Sequence, residues 1–354
     1  MKYTLKSGDN FYNIAKRYNI TLFSLLISNP QIISPSKVYV GQQINIPQVS
    51  QNIVSTNVKY TYATLVKDIN NLKQYYPFLN VSSIGKSVLG NDLLQISFGK
   101  GTKQLTYNGA HHAVEWITVP LLMKFIEEFA KSIVQGTQLY GYDTTLIYNL
   151  TTTRIIPMVN PDGVNLSING LTEENRAYHS SLIRWNNGSR DFTRWSANIR
   201  GVDLNHNYNA AWNISKAQEP NYGIYGPGPT RYSGPFPESE PETKAMVRFT
   251  RAYNFRLVIA YHSQGEVIYW DFMNRAPAES LPIARKFAGV SGYEIAGIAP
   301  GAASVAGYKD WFIDKFNKPG FTVEVGHGVN PLPLAQFNEI YNKTVGILLL
   351  APFV

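Results

Sequence analysis

The 354-residue chain contains no cysteine. That excludes a disulfide framework, a thiolate-ligated zinc finger and a thiol nucleophile. Charged residues are scarce at 16%, against 44% apolar and 13% aromatic. A disordered chain has the opposite balance, so packed cores are expected. Long apolar runs are also missing. The longest, Val345–Val354, is about half of the ~20 residues that a membrane helix needs, so no transmembrane segment is expected. Acidic residues are in deficit, with 24 Asp+Glu against 32 Lys+Arg and a net charge of +8. Such an excess suits an anionic partner. The cations are not gathered into Lys/Arg blocks, so nucleic acid is not expected among the partners. Met1-Lys2 leads straight into a patterned segment without an apolar h-region, so no signal peptide is expected in this sequence. The lack of thiols suits an oxidising, extracellular setting.

Residues 1–49 read as one small unit. Lys2–Lys6 has the pattern of a short strand, and Asp9 or Asn10 can cap a helix that begins at Phe11. Phe11, Ile14, Ala15 and Tyr18 form one helical stripe. Thr21 can cap a second helix carrying Leu22, Leu25 and Leu26, and Asn29-Pro30 ends it. A turn at Gly41-Gln42-Gln43 leads into the strand Ile44–Pro47. The expected order is βααβ. The blocks Tyr3–Asn10, Ile14-Ala15, Asn29-Pro30 and Val40–Pro47 resemble a LysM module. That resemblance implies binding to the N-acetylglucosamine-containing glycan of peptidoglycan or chitin. The unit carries Lys2, Lys6, Lys16, Arg17 and Lys37 against Asp9, a local charge of +4, which favours an anionic wall. Ser50–Asn57 is mostly polar and aperiodic and reads as a linker, residues 50–57. Residues 58–354 form the larger unit.

In that unit Tyr62–Tyr76, Leu121–Ile133, Glu242–Tyr253, Leu281–Ser291 and Leu334–Leu349 have helical patterns. Leu93–Gly99 and Lys103–Asn108 read as strands, and Thr152–Val159, Phe255–Tyr261 and Gly320–Val325 as buried ones. Alternating strands and helices predict an α/β layered sheet.

There are six histidines. His112 and Glu115 are spaced i, i+3 after a strand, so both can reach one metal ion. His262 follows the apolar strand at its carboxyl end, where such sheets place their sites. Two histidines and one carboxylate leave a fourth zinc position for water, as hydrolysis requires. The pair alone is a weak signal. It gains weight from Gly109–Trp116, Asn160–Val164, Gly201–Asn205, Ser239–Thr243, Tyr261–Ser263, Gly307–Trp311 and Phe321–Glu324, which occur in this order.

Together these blocks resemble the zinc carboxypeptidase A family over about residues 58–350. The resemblance implies a mixed eight-stranded sheet flanked by helices. It also implies Zn2+ held by His112, Glu115 and His262, with Glu324 as general base and later acid and Asp203 orienting the first histidine. His111 and His327 read as packing or rim residues, and His179 as a surface residue.

Several positions depart from the family pattern. His206 follows Asn205 where an arginine normally grips a substrate's terminal carboxylate. Ser196 follows Trp195 where the oxyanion arginine is expected, so Arg194 and Arg200 are the candidates for that role. The usual tyrosine is missing near Ala302 and Ala303, with Tyr308 as a possible replacement. Lys309 falls where the leaving-residue pocket sets specificity, which favours an acidic group such as the second carboxylate of diaminopimelate.

A wall-glycan module ahead of this domain resembles bacterial γ-D-glutamyl-L-diamino acid endopeptidases. The expectation is a peptidoglycan hydrolase, secreted, wall-associated or spore-associated, acting on stem peptides. A general metallocarboxypeptidase on L-peptides and a catalytically idle wall-binding protein remain as alternatives.

Overall fold

The computed structural model describes residues 1–49, 52–297 and 305–354. Ala302 and Ala303, the place of the missing tyrosine, lie outside the described residues, as do Ser50 and Gln51 of the linker.

Strands β1 (Lys2–Thr4) and β2 (Gln43–Asn45) pair antiparallel and enclose helices α1 (Phe11–Arg17) and α2 (Leu22–Ile27). Asn10 caps α1 by accepting from Asn13 N at 2.8 Å, and Thr21 caps α2 by accepting from Ser24 N at 3.0 Å. Asp9 does different work. It accepts from Tyr3 Oη, Lys6 N and Arg17, tying the turn to α1. Asn29 is buried and stitches α2 to β2 through Leu25 O, Asn45 O and Asn45 N. Leu5, Phe11, Ile14, Leu25, Ile44 and Ile46 form the small core.

This unit is docked on its neighbour. Thr21 donates from its N to Val134 O (2.9 Å) and from its Oγ1 to Ile133 O (2.8 Å). These carbonyls belong to the last turn of a long helix, where partners within the helix run out. Phe23 packs edge-on against Tyr148, ring centres 5.5 Å apart. Farther on, Ile53 N donates to Glu127 at 2.5 Å, and Val54 is buried in the main core. Thr21→Ala removes one cap and one interface bond together. It is expected to cost about 1–2 kcal/mol, read as a lower midpoint in urea unfolding.

The larger unit contains β3 (Asn80–Lys86), β4 (Asp92–Gly99), β5 (Lys103–Gly109), β6 (Thr151–Ile156), β7 (Phe255–His262), β8 (Val267–Tyr269), β9 (Glu294–Ala296) and β10 (Gly320–Glu324). Among the described residues these eight strands form one mixed sheet, ordered β3-β4-β6-β5-β7-β10-β8-β9. The helices are α3 (Tyr62–Tyr75), α4 (Thr118–Gln135), α5 (Thr144–Leu150), α6 (Pro161–Asn169), α7 (His179–Trp185), α8 (Trp212–Gln218), α9 (Pro241–Arg251), α10 (Ser280–Ser291), α11 (Tyr308–Phe316) and α12 (Phe337–Leu350).

The centre of the sheet decides where chemistry can sit. β6, β5, β7 and β10 run parallel, so their carboxyl ends share one edge. β7 and β10 are buried along nearly their whole length, which fits their apolar runs. In register, Glu324 faces His262 and Gly109 faces Tyr261. One sheet edge therefore gathers the ends of three strands that carry titratable residues.

Candidate active site

At the end of β5 the chain must turn sharply to present two side chains. Ala110 takes a left-handed conformation (φ +51°) and is fully buried. Asn160, after β6, holds the turn by donating to His111 O and Ala197 O, both at 3.1 Å. Its Oδ1 accepts from Gly163 N at 3.0 Å. A side chain at Gly163 would lie 2.5 Å from Ala197 O, so only glycine fits this approach. Thr118 Oγ1 accepts from Ala110 N and donates to Glu115 O. His112 precedes a single 3-10 turn, Ala113–Glu115. In that geometry residues i and i+3 eclipse, which brings His112 and Glu115 side by side.

His262, at the end of β7, completes a cluster. Glu115 Oε1 lies 2.8 Å from His112 Nδ1, and Glu115 Oε2 lies 2.8 Å from His262 Nδ1. The two Nδ1 atoms are 3.3 Å apart. All three ligand atoms fall within 4.8 Å of one another. His112 Nε2 donates to Asp203 Oδ1 at 3.1 Å. That bond fixes the proton on Nε2 and frees the Nδ1 lone pair for a metal. Two imidazole nitrogens and a carboxylate converging on one point are a donor set that fits zinc.

The surrounding carboxylates divide by environment. Burial alone would raise the Asp203 pKa, but His112, His206 and the Arg231 N–H outweigh it and hold the group far below the usual range. Burial and the nearby Glu115 push Glu324 well above it. Glu324 thus has the greater appetite for a proton. Burial lowers the His206 pKa, which keeps its imidazole neutral at physiological pH. His111 is a packing residue. It is buried, bonds Tyr208 Oη at 3.0 Å, and stacks on His262 and Tyr308.

A cleft of about 630 Å³ opens onto this cluster. Its lining includes His112, Arg194, Asn205, His206, Lys309 and Glu324, so most of the residues singled out from sequence meet here. Asn205 Oδ1 accepts from Tyr308 N, leaving its Nδ2 as the donor on offer. Two expectations are corrected. Tyr308 is fully buried, with its hydroxyl bonded to Thr250 and its ring against Trp311, so it does not line the cleft. Arg200 is drawn 3.7 Å from the buried carboxylate of Glu240 and also lies off the lining, so of the two arginine candidates only Arg194 borders the cleft.

Other lining residues escaped sequence reasoning. Asp310 and Asp271 flank Lys309. Asn330 joins the wall through two bonds to Ser263, both 2.7 Å. Asp310 stands in a recognised block, Gly307–Trp311, and that was the available signal. Nothing in the local pattern marks Asn330.

Another buried carboxylate, Glu242, lies off the cleft lining. Burial, together with Asp162, raises the Glu242 pKa to about 8. Below the unfolded value of 4.5 both states bind the proton, and the stability tied to it is fully present. As pH rises toward 8 only the folded state still holds that proton, so stability falls with pH across this window. The slope is at most about 1.4 kcal/mol per pH unit. Glu242→Gln is expected to flatten the dependence of unfolding free energy between pH 5 and 8, whatever its absolute cost. Parallel wild-type and variant curves would contradict this.

Residues 65–345 match the family described as Zinc carboxypeptidase, and residues 3–47 match the LysM domain. The first match covers well over half the chain. The chain belongs to the zinc carboxypeptidase family. It is 43% identical to gamma-D-glutamyl-L-diamino acid endopeptidase 1 of Lysinibacillus sphaericus, over 99% of both chains. It is 36% identical to the uncharacterized protein YqgT of Bacillus subtilis, over 86% of this chain and 80% of that one. Among solved structures, bovine thrombin-activatable fibrinolysis inhibitor superposes with a TM-score of 0.63 at 18% identity. That match covers 84% of this chain and 97% of the other, and it establishes the fold. As a family member the chain is a zinc metallopeptidase carrying an N-terminal LysM domain. No helix among the described residues is long and apolar enough to cross a membrane.

Proposed function

We propose that this zinc peptidase hydrolyses the γ-D-Glu–diaminopimelate bond of peptidoglycan stem peptides, with its LysM module holding it on the wall. The reading divides the chain into a glycan-binding module (residues 1–49), a connection (50–57) and a catalytic domain (58–354). The observation that carries it is the full-length similarity to an endopeptidase of that name, across both domains. The cleft supports it. Where carboxypeptidases present an arginine to a free terminal carboxylate, this chain presents a neutral imidazole, His206. A neutral group has no charge to pair with a carboxylate and tolerates an amide there. In a stem peptide longer than three residues, the diaminopimelate carboxyl at that place is amide-linked. Exposed Tyr12, Ile33, Tyr39 and Val40 give the LysM module an apolar and aromatic surface suited to sugar rings.

In this reading His112, Glu115 and His262 hold the zinc, and Asp203 fixes His112. Zinc, when bound, supplies a Lewis acid that polarises the scissile carbonyl and acidifies water beside it. Glu324 takes the proton from the attacking water. Its buried position keeps the proton close, and Glu324 then delivers it to the departing amine of diaminopimelate. Arg194 donates to the oxygen that gains charge as the carbonyl is attacked. Asn205 and His206 position the backbone beyond the cut, and Lys309 faces the side chain of the leaving residue. The products are a γ-carboxylate on D-Glu and a free amine on diaminopimelate.

The alternative of a carboxypeptidase for ordinary L-peptides requires a grip on a free C-terminus. A stem tetrapeptide and its C-terminal amide distinguish the two. The endopeptidase cuts both at comparable rates and releases the dipeptide beginning with diaminopimelate. Stepwise loss of single residues, confined to the free acid, would sink the endopeptidase reading.

A further inference from the structure

Shortly after α4 the chain makes a tight turn with an uncommon residue in it. Leu139 and Tyr142 pair through two backbone bonds, Leu139 N to Tyr142 O at 3.0 Å and Tyr142 N to Leu139 O at 2.9 Å. Between them Tyr140 and Gly141 have φ of +47° and +83°. Positive φ at both central positions is the type I′ arrangement, which favours Asn, Asp or Gly at the first of them. A tyrosine there is strained. Packing does not account for it, because the side chain is 52% exposed. Its hydroxyl makes one exposed bond, to Asn342 Oδ1 at 3.3 Å.

Tyr140 lines an open groove of about 350 Å³ together with Lys131, Ser132, Gln135, Thr137 and Gln138. That volume is in the lower range of small-ligand sites. Gln135, Thr137 and Gln138 are exposed and offer amide and hydroxyl groups. The carboxylate in the lining, Glu128, is already engaged by Tyr341 Oη at 2.8 Å and by Lys124 at 3.6 Å. Amides, hydroxyls and one aromatic face suit a neutral, polyhydroxylated ring that itself carries an amide. The apolar face of such a ring lies on the tyrosine, and its amide pairs with a glutamine. The groove begins where the LysM module docks. Gly136 separates the lining residues Gln135 and Thr137, and a Cβ added at Gly136 would lie 2.8 Å from Thr21 Cγ2.

We propose that this groove is a second glycan-binding site, in which an N-acetylated sugar of the wall polymer stacks on Tyr140 and bonds Gln135 and Gln138. This rests on the wall-binding part of the proposed function and adds to it a contact made by the catalytic domain. The bonds from Thr21 to Ile133 O and Val134 O hold the module beside the groove. A polymer captured by the module is then presented to the groove at high effective concentration, so even a weak contact with one ring tightens the hold on the wall. The strained turn serves to carry the ring outward at the edge of the groove.

The test uses the zinc-loaded full-length protein and insoluble wall glycan stripped of its peptides, with binding read by co-sedimentation. Tyr140→Asn supplies a residue that the turn favours and removes the ring. The variant is expected to bind the glycan about tenfold more weakly, the worth of one stacked aromatic, with an unfolding midpoint at or above that of the wild type. Its hydrolysis of a soluble stem tripeptide is expected to match the wild type, because the groove and the catalytic cleft share no lining residue. Equal glycan binding by variant and wild type would overturn the groove proposal and leave the LysM reading standing. Weaker binding with a lowered midpoint would also overturn it, by assigning the ring to packing. Affinity lost in Lys131→Ala but kept in Tyr140→Asn would mark an anion site instead. A wild type that does not bind the stripped glycan at all would overturn both the groove and the wall-binding reading.

Discussion

Glu324→Gln is expected to lower hydrolysis of the stem peptide by about 10²–10⁴-fold, the usual worth of a positioned proton acceptor. Glutamine keeps the size and polarity of the side chain but cannot accept and return a proton. Glu324 sits at the carboxyl end of β10, in register with His262 at the end of β7. The strand pairing that places it is made by backbone atoms, so the substitution leaves the fold and the donor set untouched. Burial and the neighbouring Glu115 raise its pKa, which strengthens it as a base toward water. The loss should fall on kcat, with zinc content and wall binding at wild-type levels. A variant that still turns over at near wild-type rate would remove Glu324 from the chemistry.

Withdrawing zinc is expected to abolish turnover and to destabilise the protein. His112 Nδ1, His262 Nδ1 and the Glu115 carboxylate converge within 4.8 Å from two chain segments 147 residues apart. An ion that binds only this folded arrangement stabilises it by mass action. At 1,000 times its dissociation constant, zinc contributes about 4 kcal/mol. Chelation should therefore lower the unfolding midpoint and reduce hydrolysis to background, and added zinc should restore both. His262→Ala should lose the zinc-dependent shift even in excess metal. If chelation leaves midpoint and activity unchanged, the cluster is not a metal site.

The central strands were legible because burial on both faces demands apolar runs, as in Leu257–Tyr261. Their carboxyl ends then pointed to His112, His262 and Glu324. β3 was not legible, since Asn80–Lys86 is a half-exposed edge strand without clear alternation. β8 and β9 are three residues each, and their pairing rather than their composition defines them. Docking of the LysM unit was also hidden. Thr21 has the pattern of a local cap only, while its second set of bonds reaches a helix more than a hundred residues away. Side-chain direction was the other blind spot. Tyr308 and Lys309 are adjacent in sequence, yet one turns into the aromatic core and the other lines the cleft. The Asp310 partnership changes Lys309 from an isolated cation into half of a neutral pair.

The most direct measurement is a digest of purified muropeptides with the zinc-loaded enzyme, read by mass spectrometry alongside Glu324→Gln. The expected result is fragments ending in D-Glu together with fragments beginning with diaminopimelate, produced by the wild type and absent with the variant. Stem peptides that remain intact at the D-Glu–diaminopimelate bond, in the presence of enzyme shown to contain zinc, would contradict the proposed activity.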